Sequence, residues 1–176
     1  MLVIPVYNMI IASDATLYLQ TEQIQSCSAG KGFPIGEKII LIVVKENTSY
    51  QDLNKDSFFP IGVSGSITDV DARGFVTIRT GNRVIVEEVW LEPNRTIEVS
   101  VSPREEINDL DHNLETEKLK NLLRELRAYS SRFQWAEMAN YFIDKMDSFG
   151  TAICGLSAML DLTNEERYSI LAEDSR

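Results

Sequence analysis

The sequence predicts an α+β fold in which a β barrel or tight sandwich precedes a small antiparallel helical bundle. Two observations carry that prediction. Up to about Pro103 the apolar residues come in short runs rich in β-branched side chains, and beyond it they recur at the three- and four-residue spacing of helices. A third bounds it: with 176 residues, 44% of them hydrophobic, the chain has enough apolar surface for a real core in one domain or two small ones.

The runs are LVIPVYNMII, TLYLQ, KIILIVV, FFPIGVSGSITDV, GFVTIRT, RVIVEEVWL and TIEVSVS. Valine, isoleucine and threonine favour extended backbone because their branched β-carbons pack well on a pleated surface. Asp71-Ala72-Arg73-Gly74 and Gly81-Asn82 read as turns between runs. Pro5 and Pro60 mark strand starts or edges, since proline has no N–H to give a ladder. EQIQSCSAG reads as a short helix stopped at Gly30. Past Pro103, Leu119, Leu122, Leu123 and Leu126 share one helical face. Trp135, Met138, Ala139, Phe142, Ile143 and Met146 share a second, and Ala152, Ile153, Leu156, Met159 and Leu160 a third. The stripes are wide enough to pack on one another. They place residues 1–103 in the β-rich part, 114–176 in the bundle, and the acidic stretch 104–113 between them as a hinge. In LTNEERYSILAEDSR, Thr163 and Glu166 form a capping box that opens a short helix. Asp174-Ser175-Arg176 has the form of a further cap, so the chain reads as cut short before another helix.

Lys and Arg number 17 against 27 Asp and Glu, a net charge of −10. The excess holds in both parts, with 9 basic to 13 acidic groups over residues 1–105 and 8 to 14 over 106–176. No basic stripe stands apart, so phosphate backbones and anionic lipid are repelled; neither nucleic acid nor membrane is an expected partner. Cys27 and Cys154 lie far apart without metal-ligand spacing, which argues against a metal site and for a reducing, cytoplasmic compartment while leaving their pairing open. LVIPVYNMII lacks the basic start and cleavage site of a secretory signal and reads as a strand. Without such a signal, Asn47-Thr48-Ser49 and Asn94-Arg95-Thr96 are chance matches to a glycosylation sequon.

No catalytic constellation is legible. Asp69-Val70-Asp71-Ala72-Arg73-Gly74 imitates the start of a calcium loop, but Arg73 stands where an oxygen ligand is required and Thr80 where a bidentate glutamate is, which favours a hairpin turn. The glycines of SAGKGFPIGEK lack the GxxxxGK[ST] spacing of a phosphate cradle. His112, the only histidine, lies in the acidic linker, and no serine has GxSxG around it. Glu87-Glu88 and Glu105-Glu106 are adjacent acids; in a strand such neighbours face opposite ways, which suits a solvated edge better than acid/base chemistry. Trp90, Trp135 and the methionines read as core. The composition describes a module that binds rather than transforms.

Ile4-Pro5-Val6-Tyr7-Asn8-Met9-Ile10-Ile11, then KIILIVVK, then Phe59-Pro60-Ile61-Gly62-Val63-Ser64-Gly65-Ser66-Ile67, a turn at Arg73-Gly74 and VTIRTGNRVIV resemble, in that order, the N-terminal domain of Lon proteases. The likeness continues through the helices to LDLTNEERYSILAEDSR, which is similar to the family's segment before a long helix leading to the ATPase. The resemblance implies an N-terminal PUA-like β pseudo-barrel followed by a small C-terminal α-helical bundle. It also implies a parent that is an ATP-dependent serine endopeptidase, a homohexamer using ATP and Mg, whose catalytic, cofactor-binding and metal residues lie beyond Arg176. This chain would then recognise and hold unfolded or damaged protein substrates in protein quality control. A stand-alone Lon-like domain acting as a protein-binding adaptor is the alternative. RNA binding through the barrel would need a basic groove, which the acidic balance opposes. Where the family usually has an apolar Phe-Pro-Gly type loop after the first strand, this chain has Ala12-Ser13-Asp14-Ala15. Met9, Ala12, Asp14 and Ala15 are therefore the expected polypeptide contacts, with Asp14 limiting the apolar patch.

Overall fold

A computed structural model describes residues 1–173 apart from 29, 31, 93–95, 108–110 and 158–159, and apart from the side chains of His112 and Met138. Asn94 and Arg95 of the second sequon, Met159 of the third helical stripe and the cap at 174–176 lie outside the described residues. The elements run β1 (Leu2–Val6), β2 (Thr16–Gln20), α1 (Thr21–Ile24) with a 3-10 turn at Gln25–Ser28, β3 (Lys38–Val44), β4 (Phe58–Val70), β5 (Phe75–Leu91) and β6 (Ile97–Pro103). Four helices follow: α2 (His112–Ser130), α3 (Ala136–Ile143), α4 (Phe149–Leu156) and α5 (Asn164–Ala172).

The six strands form one sheet in the order β1-β3-β4-β5-β2, with β6 paired to β5. Among the described residues only β1 and β3 run parallel; the other pairs are antiparallel. The long β5 carries β2 along Phe75–Arg79 and β6 along Val84–Leu91, and β6 comes back beside β1, so the sheet curls around two apolar clusters. Strand β3 separates them. Ile39, Leu41 and Val43 join Leu17, Ile24, Val76, Ile78 and Leu171, whereas Ile40, Ile42 and Val44 join Val3, Phe58, Val84 and Ile97. A strand covered on both faces has no polar side to show, which is why KIILIVV is an unbroken apolar run.

Two runs expected as separate strands are one. GFVTIRT and RVIVEEVWL fuse in β5, and Gly81-Asn82 sits inside the strand instead of turning it. The register against β4 shifts between Val63 and Gly65, opposite Arg83 and Thr80, so the glycine marks a β-bulge that bends the strand without ending it. A second bulge, between Val86 and Glu88, breaks the alternation that would have set Glu87 and Glu88 on opposite faces, and both are exposed. The real hairpin turn is at Asp71: its carboxylate accepts the Arg73 and Phe75 N–H groups at 2.8 and 3.0 Å, with Gly74 at φ 85°. The Phe75 N–H above all, and Arg73 beside it, hold the Asp71 carboxyl below its ordinary pKa. Pro60 falls within β4, where the pairing to β3 shifts register between Ile42 and Val44.

The helices do not all gather on one another. α2 packs on α3, while α4 lies along β2 and α5 along β4. Ala139, Ile143, Met146 and Ala152 are buried as their stripes require. Trp135 and Phe142 of the second stripe remain 40% and 53% exposed, and Leu160 of the third 41%. Trp90 is likewise 46% exposed on β5, so neither tryptophan is the core residue its type suggested.

Candidate functional site

The segment from Tyr7 to Ala15 leaves the sheet after β1, and its backbone is satisfied by side chains from distant elements. The Asn8 N–H reaches Asn164 Oδ1 at 2.9 Å, the Ile10 N–H reaches Ser157 Oγ at 3.0 Å, and the Ala15 N–H reaches Thr80 Oγ1 at 2.8 Å. In the other direction Thr80 Oγ1 donates to the Ala12 carbonyl at 2.7 Å and Ser148 Oγ to the Asp14 carbonyl at 2.8 Å. Asn8 and Asp14 adopt φ of 53° and 51°, a left-handed conformation that Asn and Asp tolerate better than other non-glycine residues. The loop is therefore shaped by α4, α5 and β5.

Two buried arginines complete the scaffold. Arg167 of α5 donates through Nε to Asn8 Oδ1 at 3.0 Å and through Nη1 and Nη2 to the Ser157 and Leu160 carbonyls. Arg83, brought inward just past the β5 bulge, donates through Nε to Glu106 Oε1 at 3.1 Å and through Nη1 to the carbonyls of Leu171 and Glu173. Arg104 adds Nη2 to the Ala172 carbonyl at 3.0 Å. The last turn of a helix presents unsatisfied carbonyls carrying partial negative charge, and guanidinium groups suit both features. Ser13 Oγ donates to the same Glu106 carboxylate, so the first loop, β5, the segment after β6 and the end of α5 meet at one carboxyl group.

Beside this junction lies a cleft of about 750 Å³ between the first loop, the start of α2, α4 and α5. Phe149, Ile153 and Ile170 give it half-buried apolar walls, and Asp14, Glu106, Glu115, Glu173, Arg83 and Lys118 supply its charges. Ala12 and Asp14, two of the expected contacts, line it. Met9 instead packs against the core, and Ala15 has no accessible surface because Gly150 of α4 sits over it. The structure thus brings Ala12 and Asp14 together and leaves Met9 and Ala15 as support. Sequence reasoning missed Arg83, Glu106 and the helical wall. The one available signal was a charge inside the apolar run RVIVEEVWL two residues after a glycine.

A second surface is aromatic. Phe133 stacks on Trp135 with centroids 4.9 Å apart, and Tyr129 leans on Phe133 at 5.1 Å; all three are at least 38% exposed. Among the described residues, no group of three His, Cys, Asp or Glu side chains stands ready to hold a metal ion, and no helix is long and apolar enough to cross a membrane.

No family model matches the chain. A Lon protease of Methanosarcina barkeri (strain Fusaro / DSM 804) is 29% identical over 109 residues, 61% of this chain but 14% of that protein. Among solved structures, the N-terminal domain of the Mycobacterium avium complex Lon protease superposes with a TM-score of 0.57 at 17% identity, covering 98% of this chain and 89% of that one. A Lon N-terminal domain protein from Xanthomonas campestris gives 0.50 at 15% identity, covering 99% and 90%. The fold is that of Lon N-terminal domains. A cleft of about 460 Å³ beside Gly32 is lined by Glu37 and Glu98, and its N-terminal ammonium stands 3.9 Å from Glu37.

Proposed function

We propose that this chain is the polypeptide-binding domain of a cytoplasmic, ATP-dependent serine protease of the Lon type, where it recognises and holds unfolded or damaged proteins and contributes to a homohexamer. One observation supports the reading above all: the likeness to Lon N-terminal domains runs over 98% of the chain, through both the sheet and the helices. On this reading the serine protease chemistry, ATP and Mg belong to other parts of the parent, and the chain by itself turns over neither ATP nor peptide. Its contribution is a cleft whose apolar walls suit extended, side-chain-rich segments and exclude a folded surface. One copy need bind only weakly, because several copies around a ring raise the effective concentration.

Titrating the isotope-labelled chain with a permanently unfolded protein and with its folded counterpart tests this by NMR. The unfolded form should bind with a Kd of about 10–1,000 μM and shift residues 12–14, and the folded form should bind much more weakly. Absence of saturable shifts, or equal affinity for the two forms, overturns the reading.

A further inference from the structure

We propose that two surfaces of this chain are the halves of a head-to-tail contact between copies of it: the aromatic tip where α2 leads into α3, and the outer face of the paired strands β5 and β6. The proposal concerns the assembly named in the reading above and does not depend on polypeptide binding.

The net charge of −10 hides a local excess of each sign. Residues 118–135 carry five basic groups and one acidic, and they end in the stacked Phe133 and Trp135 with Tyr129 beside them, all exposed. Residues 85–98 carry four acidic groups and one basic. Val86, Val89, Val99 and Val101 pack inward from β5 and β6, so the pairs Ile85 with Ser102, Glu88 with Ser100 and Trp90 with Glu98 lie on the other face. There Ile85 and Trp90 are exposed, and Ser100 Oγ donates to Glu87 at 3.3 Å, which places that carboxylate on the same side. Among the described residues, no ion pair reaches Lys120, Arg132, Glu87, Glu88 or Glu98.

Each surface thus joins exposed aromatic side chains to charge of one sign, the make-up of an apolar interface core with a charged rim. Tip against tip, or sheet against sheet, sets like charges together, which disfavours a two-fold contact. Tip against sheet brings opposite charges and apolar groups together at once, and the partner that carries both surfaces is a second copy of this chain. Because the two halves differ, each copy keeps one of them free and the contact repeats from copy to copy.

Sedimentation of the full chain at low ionic strength, at concentrations up to about 1 mM where weak contacts show, tests the proposal. The wild type should form dimers and longer species, and about 1 M salt should weaken the association about tenfold. Arg124→Glu with Arg132→Glu, and separately Glu87→Lys with Glu88→Lys, should each weaken it at least about tenfold, since each sets like charge against like. All four side chains are exposed, so circular dichroism and melting should stay as in the wild type. The acid-to-lysine variant also makes the chain less negative, which by itself favours association, so a loss there reports the local contact. Combining all four changes restores both the net charge of −10 and the attraction between tip and sheet, and association should return. A chain that stays monomeric, association that survives either reversal, or a combined variant that does not recover overturns the proposal and leaves polypeptide binding standing. A monomeric wild type whose residues 129–135 shift in NMR with a Glu-rich peptide overturns it too, and assigns the tip to another partner.

Discussion

Arg83 Nε lies 3.1 Å from Glu106 Oε1 while its Nη1 lies 3.0 Å from the Leu171 carbonyl, so one guanidinium joins the barrel to the last turn of α5. The Arg83 side chain is 5% exposed and that of Glu106 18%. Removing one partner of a buried pair strands the other charge, and here it also frees two helix-end carbonyls. Arg83→Met should therefore cost about 3–5 kcal/mol in urea denaturation. Adding Glu106→Leu should recover part of that loss, because the stranded carboxylate goes too. A loss below about 1 kcal/mol, the value of an exposed pair, would refute the junction as a structural tie.

Why this junction escaped the sequence is instructive. KIILIVV announces a strand buried on both faces, because every residue in it answers to its immediate environment. The Thr163 capping box is equally local: its Oγ1 accepts the Glu166 N–H at 3.2 Å, and Glu166 Oε2 accepts the Thr163 N–H at 2.7 Å. Asn164, next in line, reads as an ordinary first-turn residue. Yet its Nδ2 spans 120 positions to the Val44 carbonyl at 2.8 Å, and no periodicity encodes that. The first loop shows the same limit. Met9, Ala12, Asp14 and Ala15 have the composition of an apolar patch, and only the docking of α4 decides that Ala15 is covered while Asp14 is exposed. Gly81-Asn82 is a third case: the dipeptide favours a turn, but pairing to β4 at Thr80 and Arg83, on either side of it, continues the strand through it.

Alkaline pH should weaken the fold. Burial pushes the Cys27 thiol from its ordinary 9.0 up to about 12, and Tyr50, which packs against both apolar clusters, rises from 10.0 to about 12, from its own burial first and the nearby Cys27 second. A raised pKa means that the folded chain resists ionisation that the unfolded chain accepts, so the stabilisation is complete below about pH 9 and is lost between about 9 and 12. Urea midpoints should fall across that window, and Cys27→Ala should flatten the fall. A midpoint independent of pH there would contradict the burial argument. Cys27 should also resist thiol reagents until the chain unfolds.

The acidic stretch at 104–113 is proposed as the hinge. Arg104 and Glu106 are tied to α5 and β5, while Ile107 is 60% exposed. Limited proteolysis should cut after position 106 and before α2. The two pieces should then co-elute under native conditions, because Arg83, Arg167 and Asn164 hold α5 on the β part. First cuts elsewhere, or pieces that separate, would dismiss this arrangement.

The closest test of how α4 builds the cleft lies in its two glycines. A methyl group in place of helical glycine removes backbone freedom from the unfolded chain and stabilises by about 1 kcal/mol where space allows. Space does not allow it at Gly150, where a Cβ would stand 2.3 Å from the Ser13 carbonyl oxygen and 3.3 Å from Ala15 Cβ. Neither neighbour can yield cheaply: one is backbone in a loop fixed at both ends, and the other is fully buried. At Gly155 the Cβ would meet, among the described residues, only Met146 Cε at 2.9 Å, the free end of a flexible side chain that can swing aside. Gly155→Ala should therefore be neutral or stabilising by up to about 1 kcal/mol, whereas Gly150→Ala should destabilise by about 1–3 kcal/mol as α4 is pushed from the loop. Thermal melts of the two variants decide it. Displacement of α4 also parts Phe149 and Ile153 from Asp14, so Gly150→Ala should weaken peptide binding at temperatures where it is still folded, and Gly155→Ala should not. Equal stability changes in the two glycine variants would mean that α4 does not press on the loop as closely as the backbone contact at Ser13 requires.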